Sequence, residues 1–493
     1  MMEEKHTFGK LAVVVDNGVL GDSRVQKIAT SARKSGWEVL LLGISPTSVR
    51  QEFDLEGVKV VLAPCPKYLH SYKRQNPGYS FRWFGGYARN IDYQRARTRM
   101  LARKRDIEFC SASGKKNLDW IWKLLAYKLS RVIYGLRGIG YKKGVDRMVS
   151  RSGLTEKIKV MLILSIFRKR AWQYLEPLLI DLEAAFFPEL EKFGPVIIHA
   201  NDFRVLPTVA RFVYTSKNTQ RRTKFVWDAH EFLPGVHLLT RRSQIGTEMA
   251  EMEFGLTANA YVTVSDELAR LLVKRHGLPI LPTVVLNAPV ATLESPKLKE
   301  TLRETLKLPN DKPLVVYSGA ISERRGVLDV IEALTMAADF HFAVVCPPEP
   351  IFRKRILETS IKFGVADRVH VVDYVPFDQI AYFLSSADVG IIPLHHTLNH
   401  EVALVTKYFE YIHAGLPLVV SDVKQMSETT QEFALGEVFE SGNSKDLSIA
   451  LESVFKNREA YIVNAKKNVD LTEWTWEKQF EKLNDLYLKL LEK

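Results

Sequence analysis

Short runs of Val, Ile and Leu recur along the chain, with helical patterns between them. The first is Leu11–Asp16 (LAVVVD), an apolar, β-branched run of the kind that forms a buried parallel strand. The loop NGVLGDSR follows, then a helical pattern from Val25 to Ser35, closed by Gly36. A second apolar run, Glu38–Gly43, completes a strand–helix–strand unit. Alternation at Val58–Leu62 adds a third strand.

That rhythm then stops. From about residue 66 to 175 the periodicity is helical, as in Asn117–Leu136 (NLDWIWKLLAYKLSRVIYGL). Strand-like runs resume at Val196–His199, Lys224–Asp228, Ala260–Val264 and Thr283–Leu286. A polar stretch with Pro296, Pro309 and Pro313 spans 291–313 and reads as a linker holding one short helix. A second series then starts with Leu314–Ser318, His341–Val345, Val369–Val372, Val389–Ile392 and Leu418–Val420. Trp474–Leu491 is a long terminal helical pattern. Alternating strands and helices predict doubly wound parallel sheets. The fold class is therefore α/β, with two Rossmann-like domains. The first spans 1–290 with a helical insertion at about 66–185, and the second spans 314–470. Residues 471–493 form a terminal helix.

Length supports more than one core: 493 residues, with 46% apolar and 26% charged. Three scattered cysteines without a CxxC pair argue against a disulfide framework or a zinc site, and a reducing cytoplasm is expected. Acidic residues precede the first apolar run and no small-residue cleavage site follows it, so no signal peptide is expected. The net charge of +12 is concentrated. Residues 67–170 carry 26 Lys/Arg against 6 Asp/Glu, an excess of +20, which leaves −8 for the remainder.

In open α/β sheets, ligands bind beyond the carboxyl ends of the strands. Four loops there carry candidate chemistry. In the first, Gly18 and Gly21 permit close backbone approach, and Asp22 and Arg24 stand at the following helix start. The spacing is not the dinucleotide fingerprint, and Asp22 or Ser23 also suits a plain helix cap. In the second, His230 follows a strand beside Asp228 and Glu231, placed to hydrogen-bond a reacting group. His199, also at a strand end, is expected to support it. The third is YSGAISERRG, where Gly319, Arg324 and Arg325 precede a helix. Two guanidinium groups there suit a diphosphate, and a solvated helix start leaves them unexplained. The fourth runs from Pro393 into a helix. Thr406 and Lys407 stand at its start and Glu410 lies one turn deeper, where it is expected to bind a ribose diol. His395, His396 and His400 lie in this loop without metal-site spacing, so no metal is expected.

Together these pieces resemble the family-4 glycosyltransferases of GT-B fold. The resemblance rests on DSRVQKIATSARKSGWEV, HANDFRVLPTVARF, FVWDAHEFLP, VTVSDELA, VVLNAPV, VYSGAISERRGVLDVIEAL, SSADVGIIPL and VTKYFEYIHAGLPLVVSD. It covers nearly everything outside 66–185. It implies sugar transfer from a nucleotide diphosphate sugar in a cleft between the domains, usually with retention and without a required metal or cofactor. It also implies that Arg325 contacts the diphosphate, Glu410 the ribose, and that His230 sits near the transferred sugar. The terminal helix would return to the first domain. Two positions depart from the family pattern. Ala320 stands where an arginine often follows the glycine, and Val402 where the first glutamate of the E-x7-E motif falls, with Glu401 one residue out of step. The stretch LVTK is closer to the variant that reads leucine–proline–asparagine–lysine.

Charge management gives the transfer a physical basis. Arg325, Arg324, Lys407 and the helix starts near 326 and 406 would stabilise the leaving diphosphate, work that a metal does elsewhere. With retention, the leaving phosphate could itself deprotonate the acceptor, leaving His230 to orient the donor sugar. A GT-B sugar-nucleotide epimerase and a catalytically inert partner subunit remain as alternative readings. The acceptor is expected to be a glycan or a lipid-linked precursor of a polysaccharide. The basic stretch interleaves aromatics such as Tyr79, Phe81, Trp83, Phe84 and Tyr87, a composition shared by single-strand nucleic-acid binders and interfacial helices. An anionic membrane surface is the expected partner rather than nucleic acid, with the protein cytoplasmic and peripheral on the inner face.

Overall fold

The β-branched runs form strands because buried parallel ladders favour side chains that pack on both faces of a pleat. The computed structural model describes residues 8–66, 69, 90–114, 118–139, 156–215, 223–236, 241–291, 300–348 and 350–492. The chain divides into two compact units. One comprises Met1–Val262, Leu272–Pro282 and Leu486–Lys493; the other comprises Thr263–Leu271 and Thr283–Asp485.

Eight strands make the first sheet: β1 (Lys10–Val14), β2 (Glu38–Ile44), β3 (Gln51–Leu55), β4 (Val58–Ala63), β5 (Ile197–Asn201), β6 (Lys224–Asp228), β7 (Ala260–Thr263) and β8 (Thr283–Val284). Their order is β3-β4-β2-β1-β5-β6-β7-β8. The ladders from β4 through β2, β1, β5 and β6 to β7 are parallel. Strand β3 pairs antiparallel with β4. Strand β1 is the centre, with Leu11, Ala12, Val13 and Val14 fully buried.

The second sheet holds β9 (Leu314–Ser318), β10 (His341–Cys346), β11 (Val369–Asp373), β12 (Val389–Ile392), β13 (Leu418–Ser421) and β14 (Gly436–Phe439). All its ladders are parallel, in the order β11-β10-β9-β12-β13-β14. Apolar clusters cover both faces. Val315, Tyr317 and Val344 pack with the helix Val327–Ala333 on one side, and Val316, Ala343 and Val345 with the helix Thr406–His413 on the other. This strand order reverses direction between β9 and β12. In the first sheet it reverses between β1 and β5. Both are the crevice positions at which doubly wound sheets take ligands.

Each strand expected from the apolar runs is present, with ends shifted by no more than a few residues. Two strands were not anticipated, β3 and β14, both at sheet edges. The stretch from about 66 to 175 carries the helices Asn90–Ala112, Leu118–Ile139, Glu156–Phe167 and Trp172–Leu175 where it is described, and Leu178–Phe193 follows. Tyr79, Phe81, Trp83, Phe84 and Tyr87 lie outside the described residues. The fully buried Arg211 ties this region down, pairing with Asp106 and with Glu183 at 2.8 Å. Short helix Leu302–Leu306 occupies the expected linker stretch and starts in a capping box of Thr301 and Glu304.

Candidate active site

At the switch point of the second sheet, two loops meet. One follows β9 and contains Gly319–Gly326; the other follows β12 and starts at Pro393. Gly326 makes the meeting possible. It sits at φ +62°, and a Cβ there would lie 1.8 Å from the Pro393 carbonyl oxygen. The backbone N–H of His395 then donates to the Arg324 carbonyl at 2.9 Å, and the His395 ring holds Asp329 Oδ2 at 2.6 Å.

Cationic groups gather here. Arg325 is half-buried and ends a short 3-10 turn, Glu323–Arg325, while Arg324 is exposed. Lys407 is almost fully buried at 4% exposure, and its Nζ has no hydrogen-bond partner. The ammonium lies over the Tyr317 ring, 3.4 Å from its centroid. It is also 3.4 Å from where a Cβ on Gly319 would stand; that glycine holds φ +116°. Burial pushes the Lys407 pKa well down and the Arg325 charge adds to this, with Glu410 opposing. A buried cation with no hydrogen-bond partner is costly, and a cation–π contact offsets only part of the cost. The arrangement therefore suits an incoming anion at the carboxyl end of β9.

The helix Thr406–His413 adds to that field. No side chain caps its start, and the start of a helix favours an anion. Asn287 Nδ2 donates to Thr406 Oγ1 at 2.7 Å. Glu410, one turn on, is buried at 4% exposure. Burial of the neighbouring Tyr374 hydroxyl pushes its pKa up, and the Glu410 charge adds to this. Tyr411 stitches the two central strands: its hydroxyl accepts from Ser318 N at 2.8 Å and donates to the Ile391 carbonyl. Of the expected residues, Gly319, Arg325, Thr406, Lys407 and Glu410 thus belong to one strand-end region.

The three loop histidines have protein partners. His395 holds Asp329, His396 lies between Glu401 (2.6 Å) and Asp422 (3.1 Å), and His400 Nδ1 donates to the His395 carbonyl at 2.7 Å. They brace the loop. Among the described residues, no group of three or more His, Cys, Asp or Glu side chains is arranged to hold a metal.

In the first unit, the loop after β1 is braced by itself. Asn17 Oδ1 accepts from Val19 N, and Asn17 Nδ2 donates to Asp22 Oδ2, both at 2.8 Å. Asp22 caps the helix Ser23–Lys34 by accepting from Val25 N. Gly18 and Gly21 both keep negative φ, and no heavy atom stands within 4 Å of a Cβ built at Gly21. Arg24 is turned inward, 4% exposed, and grips Asp228 with Nε at 2.8 Å and Nη2 at 3.0 Å.

Asp228 is fully buried at the end of β6. His199 Nε2 donates to its Oδ2 at 3.1 Å, and the Tyr487 hydroxyl donates to His199 Nδ1 at 2.7 Å. A carboxylate can only accept here, which sets the His199 tautomer and with it the direction of the Tyr487 bond. Burial opposes the Asp228 charge, yet Arg24, His199 and His230 hold it far below the usual carboxylate range. His230 Nδ1 lies 3.9 Å from Asp228 Oδ1. Burial lowers the His230 pKa, but Asp202 and Asp228 outweigh it and the net shift is upward. Asp202 follows β5 in the left-handed region at φ +70°, and desolvation raises its carboxyl strongly. His230 thus stands beside the Asp228 carboxylate, which Arg24 holds from within the unit.

Sequence reasoning passed over Tyr317, Asp202 and Tyr487. Asp202 stands directly after β5, a position that the strand-end rule covers. Tyr317 and Tyr487 carried no such signal, because a tyrosine in a strand or an amphipathic helix reads as core.

Comparisons with known proteins agree with this architecture. Residues 299–469 match the family model described as glycosyl transferases group 1. A Bacillus subtilis (strain 168) protein named as a teichuronic acid biosynthesis glycosyltransferase, TuaC, is 25% identical over 130 residues. That match spans 26% of this chain and 30% of that protein, under a third of its length. Among solved structures, sucrose-phosphate synthase from Thermosynechococcus elongatus aligns over 98% of this chain and 99% of its own, with a TM-score of 0.63 at 14% identity. Anabaena Alr3699/HepE in complex with UDP aligns over 98% and 100%, with a TM-score of 0.55 at 13% identity. Identities this low establish the fold, which is GT-B.

Proposed function

We propose that this protein is a glycosyltransferase that moves a sugar from a nucleotide diphosphate sugar to an acceptor hydroxyl. The observation that carries this reading is Lys407, a buried ammonium without a hydrogen-bond partner, near Arg325 at the switch point of the second sheet. A diphosphate supplies the missing charge. As the sugar–phosphate bond breaks, negative charge grows on the diphosphate, and fixed cations stabilise that growth more than they stabilise the bound donor. Glu410, buried one turn into the helix, is the candidate partner of the ribose hydroxyls. The match of 299–469 to the glycosyl transferases group 1 model and the UDP bound by Anabaena HepE both support a nucleotide-sugar donor.

Lys407 also bears on the departure at Ala320. Its ammonium stands beside Gly319, the residue before Ala320, so the second basic group comes from the helix Thr406–His413 and not from the strand end. In this reading the reaction needs no metal and no cofactor, proceeds with retention, and uses His230 to orient the donor sugar. The relatives support an acceptor in cell-surface polysaccharide synthesis, since TuaC is named for teichuronic acid biosynthesis. Calorimetric titration with UDP, GDP and ADP, followed by Lys407→Ala, tests the reading. Binding of at least one diphosphate, lost in the variant, is the expected result. No diphosphate binding by the folded wild-type protein would refute it.

A further inference from the structure

The helix Leu118–Ile139 turns an apolar stripe outward. Leu118, Ile121, Trp122, Leu125, Leu129 and Val132 are all exposed, between 46% and 76%. At 100° per residue they fall within roughly 100° of one another, one continuous stripe. The opposite face is the more buried one, and it mixes half-buried Trp120, Tyr127 and Tyr134 with Lys123 and Ser130. Lys123 is 5% exposed, with its Nζ 3.2 Å from Cys110 Sγ and 3.1 Å from Asp119 Oδ2. Ser130 donates to the Ala126 carbonyl at 2.6 Å and accepts from the Arg103 guanidinium. A helix that presents leucines and a tryptophan outward in one continuous stripe has an apolar face directed at something other than water.

Charge selects what that is. Lys128 and Arg131 are exposed on the same helix, and Asp119, its one acidic residue, is paired with Lys123. The surrounding segment 67–170 carries an excess of +20, against −8 for the rest of the chain. Two copies of so basic a segment repel one another, whereas an anionic bilayer surface attracts both the charge and the stripe. Among the described residues no helix is long and apolar enough to cross a membrane. An amphipathic helix with exposed Trp, Leu and flanking Lys/Arg lies instead in the plane of the headgroups.

We propose that the outer face of Leu118–Ile139 is an interfacial docking surface for anionic lipid bilayers. This surface is independent of the transfer reading, because its test measures lipid binding and not turnover. The full chain is sedimented with phosphatidylcholine vesicles, with and without phosphatidylglycerol, at low and high salt. It is expected to pellet only with phosphatidylglycerol and to be released as salt rises. Leu125→Glu combined with Leu129→Glu is expected to weaken partitioning by about tenfold or more with an unchanged melting temperature, since both positions already face outward. Lys128→Glu with Arg131→Glu is expected to weaken it and to reduce its salt dependence. No pelleting at low salt overturns the proposal, and so does binding that the leucine substitutions leave intact. Unfolding of the leucine double variant overturns it too, by showing that the stripe packs within the protein. A wild-type dimer in gel filtration that these substitutions split, without vesicle binding, would assign the stripe to a second copy of the chain.

Discussion

At the scale of single residues, Lys407 and His230 illustrate opposite uses of burial. Lys407 is buried without a hydrogen-bond partner beside Arg325, so removing it should cost anion binding directly. Lys407→Ala and Arg325→Ala are each expected to lower turnover about a hundredfold or more, the scale found for one group that stabilises developing charge. Steady-state kinetics with the preferred donor checks this, and near-wild-type turnover in either variant rejects the assignment. A pH dependence follows from the depressed Lys407 pKa. Below that depressed value the free protein already carries the charge. As pH rises from there towards the ordinary lysine value of 10.5, binding a diphosphate must take up a proton, and affinity falls. Titrations in buffers of different ionisation enthalpy should show that uptake at alkaline pH, and Lys407→Ala should abolish it. His230 is expected to behave differently. His230→Ala should reduce turnover far more than nucleotide affinity, and a variant with poor nucleotide binding but normal turnover would contradict that role.

At the scale of elements, the switch-point loops depend on a backbone that tolerates close approach. Gly326→Ala would put a methyl 1.8 Å from the Pro393 carbonyl oxygen at a φ that disfavours any side chain. The two loops must then separate. The expected loss exceeds about 2 kcal/mol of stability, with nucleotide binding lost as well, and thermal melting with and without nucleotide measures both. The end of the terminal helix is a second such element. Tyr487 supplies the proton that His199 Nδ1 accepts in the buried Asp228 network. Tyr487→Phe leaves that nitrogen buried and unsatisfied, which costs about 1–3 kcal/mol. Chemical denaturation should show this loss, and a variant as stable as the wild type would mean that the bond contributes nothing.

At the scale of the whole molecule, two parallel sheets with the same reversal of strand order each place charged groups at the strand ends. If the cations of the second unit carry the leaving-group charge, transfer should persist in excess chelator. Complete loss that magnesium or manganese restores would show that those cations are insufficient. The strands themselves were legible in the sequence because burial on both faces leaves continuous β-branched runs, as in Leu314–Ser318 and Val389–Ile392, where expected and observed ends coincide. Strands β3 and β14 lacked that signal. QEFDL alternates and GEVF is four residues long, and edge strands need bury only one side. The sequence by itself also marked the strand-end loops, and so Arg325, Thr406, Lys407, Glu410 and His230, since chemistry in an open α/β sheet collects at one end. Other features were decided only by tertiary structure. Arg24, read as a ligand of the incoming substrate, is turned into Asp228, and Asp22 and the loop histidines brace their own loops. Lys407 gained its meaning from burial over the Tyr317 ring, and Tyr487 from a histidine 288 positions away. Periodicity records how much of a side chain is buried. It does not record which distant group that side chain meets, because such meetings arise only when the sheets and helices pack.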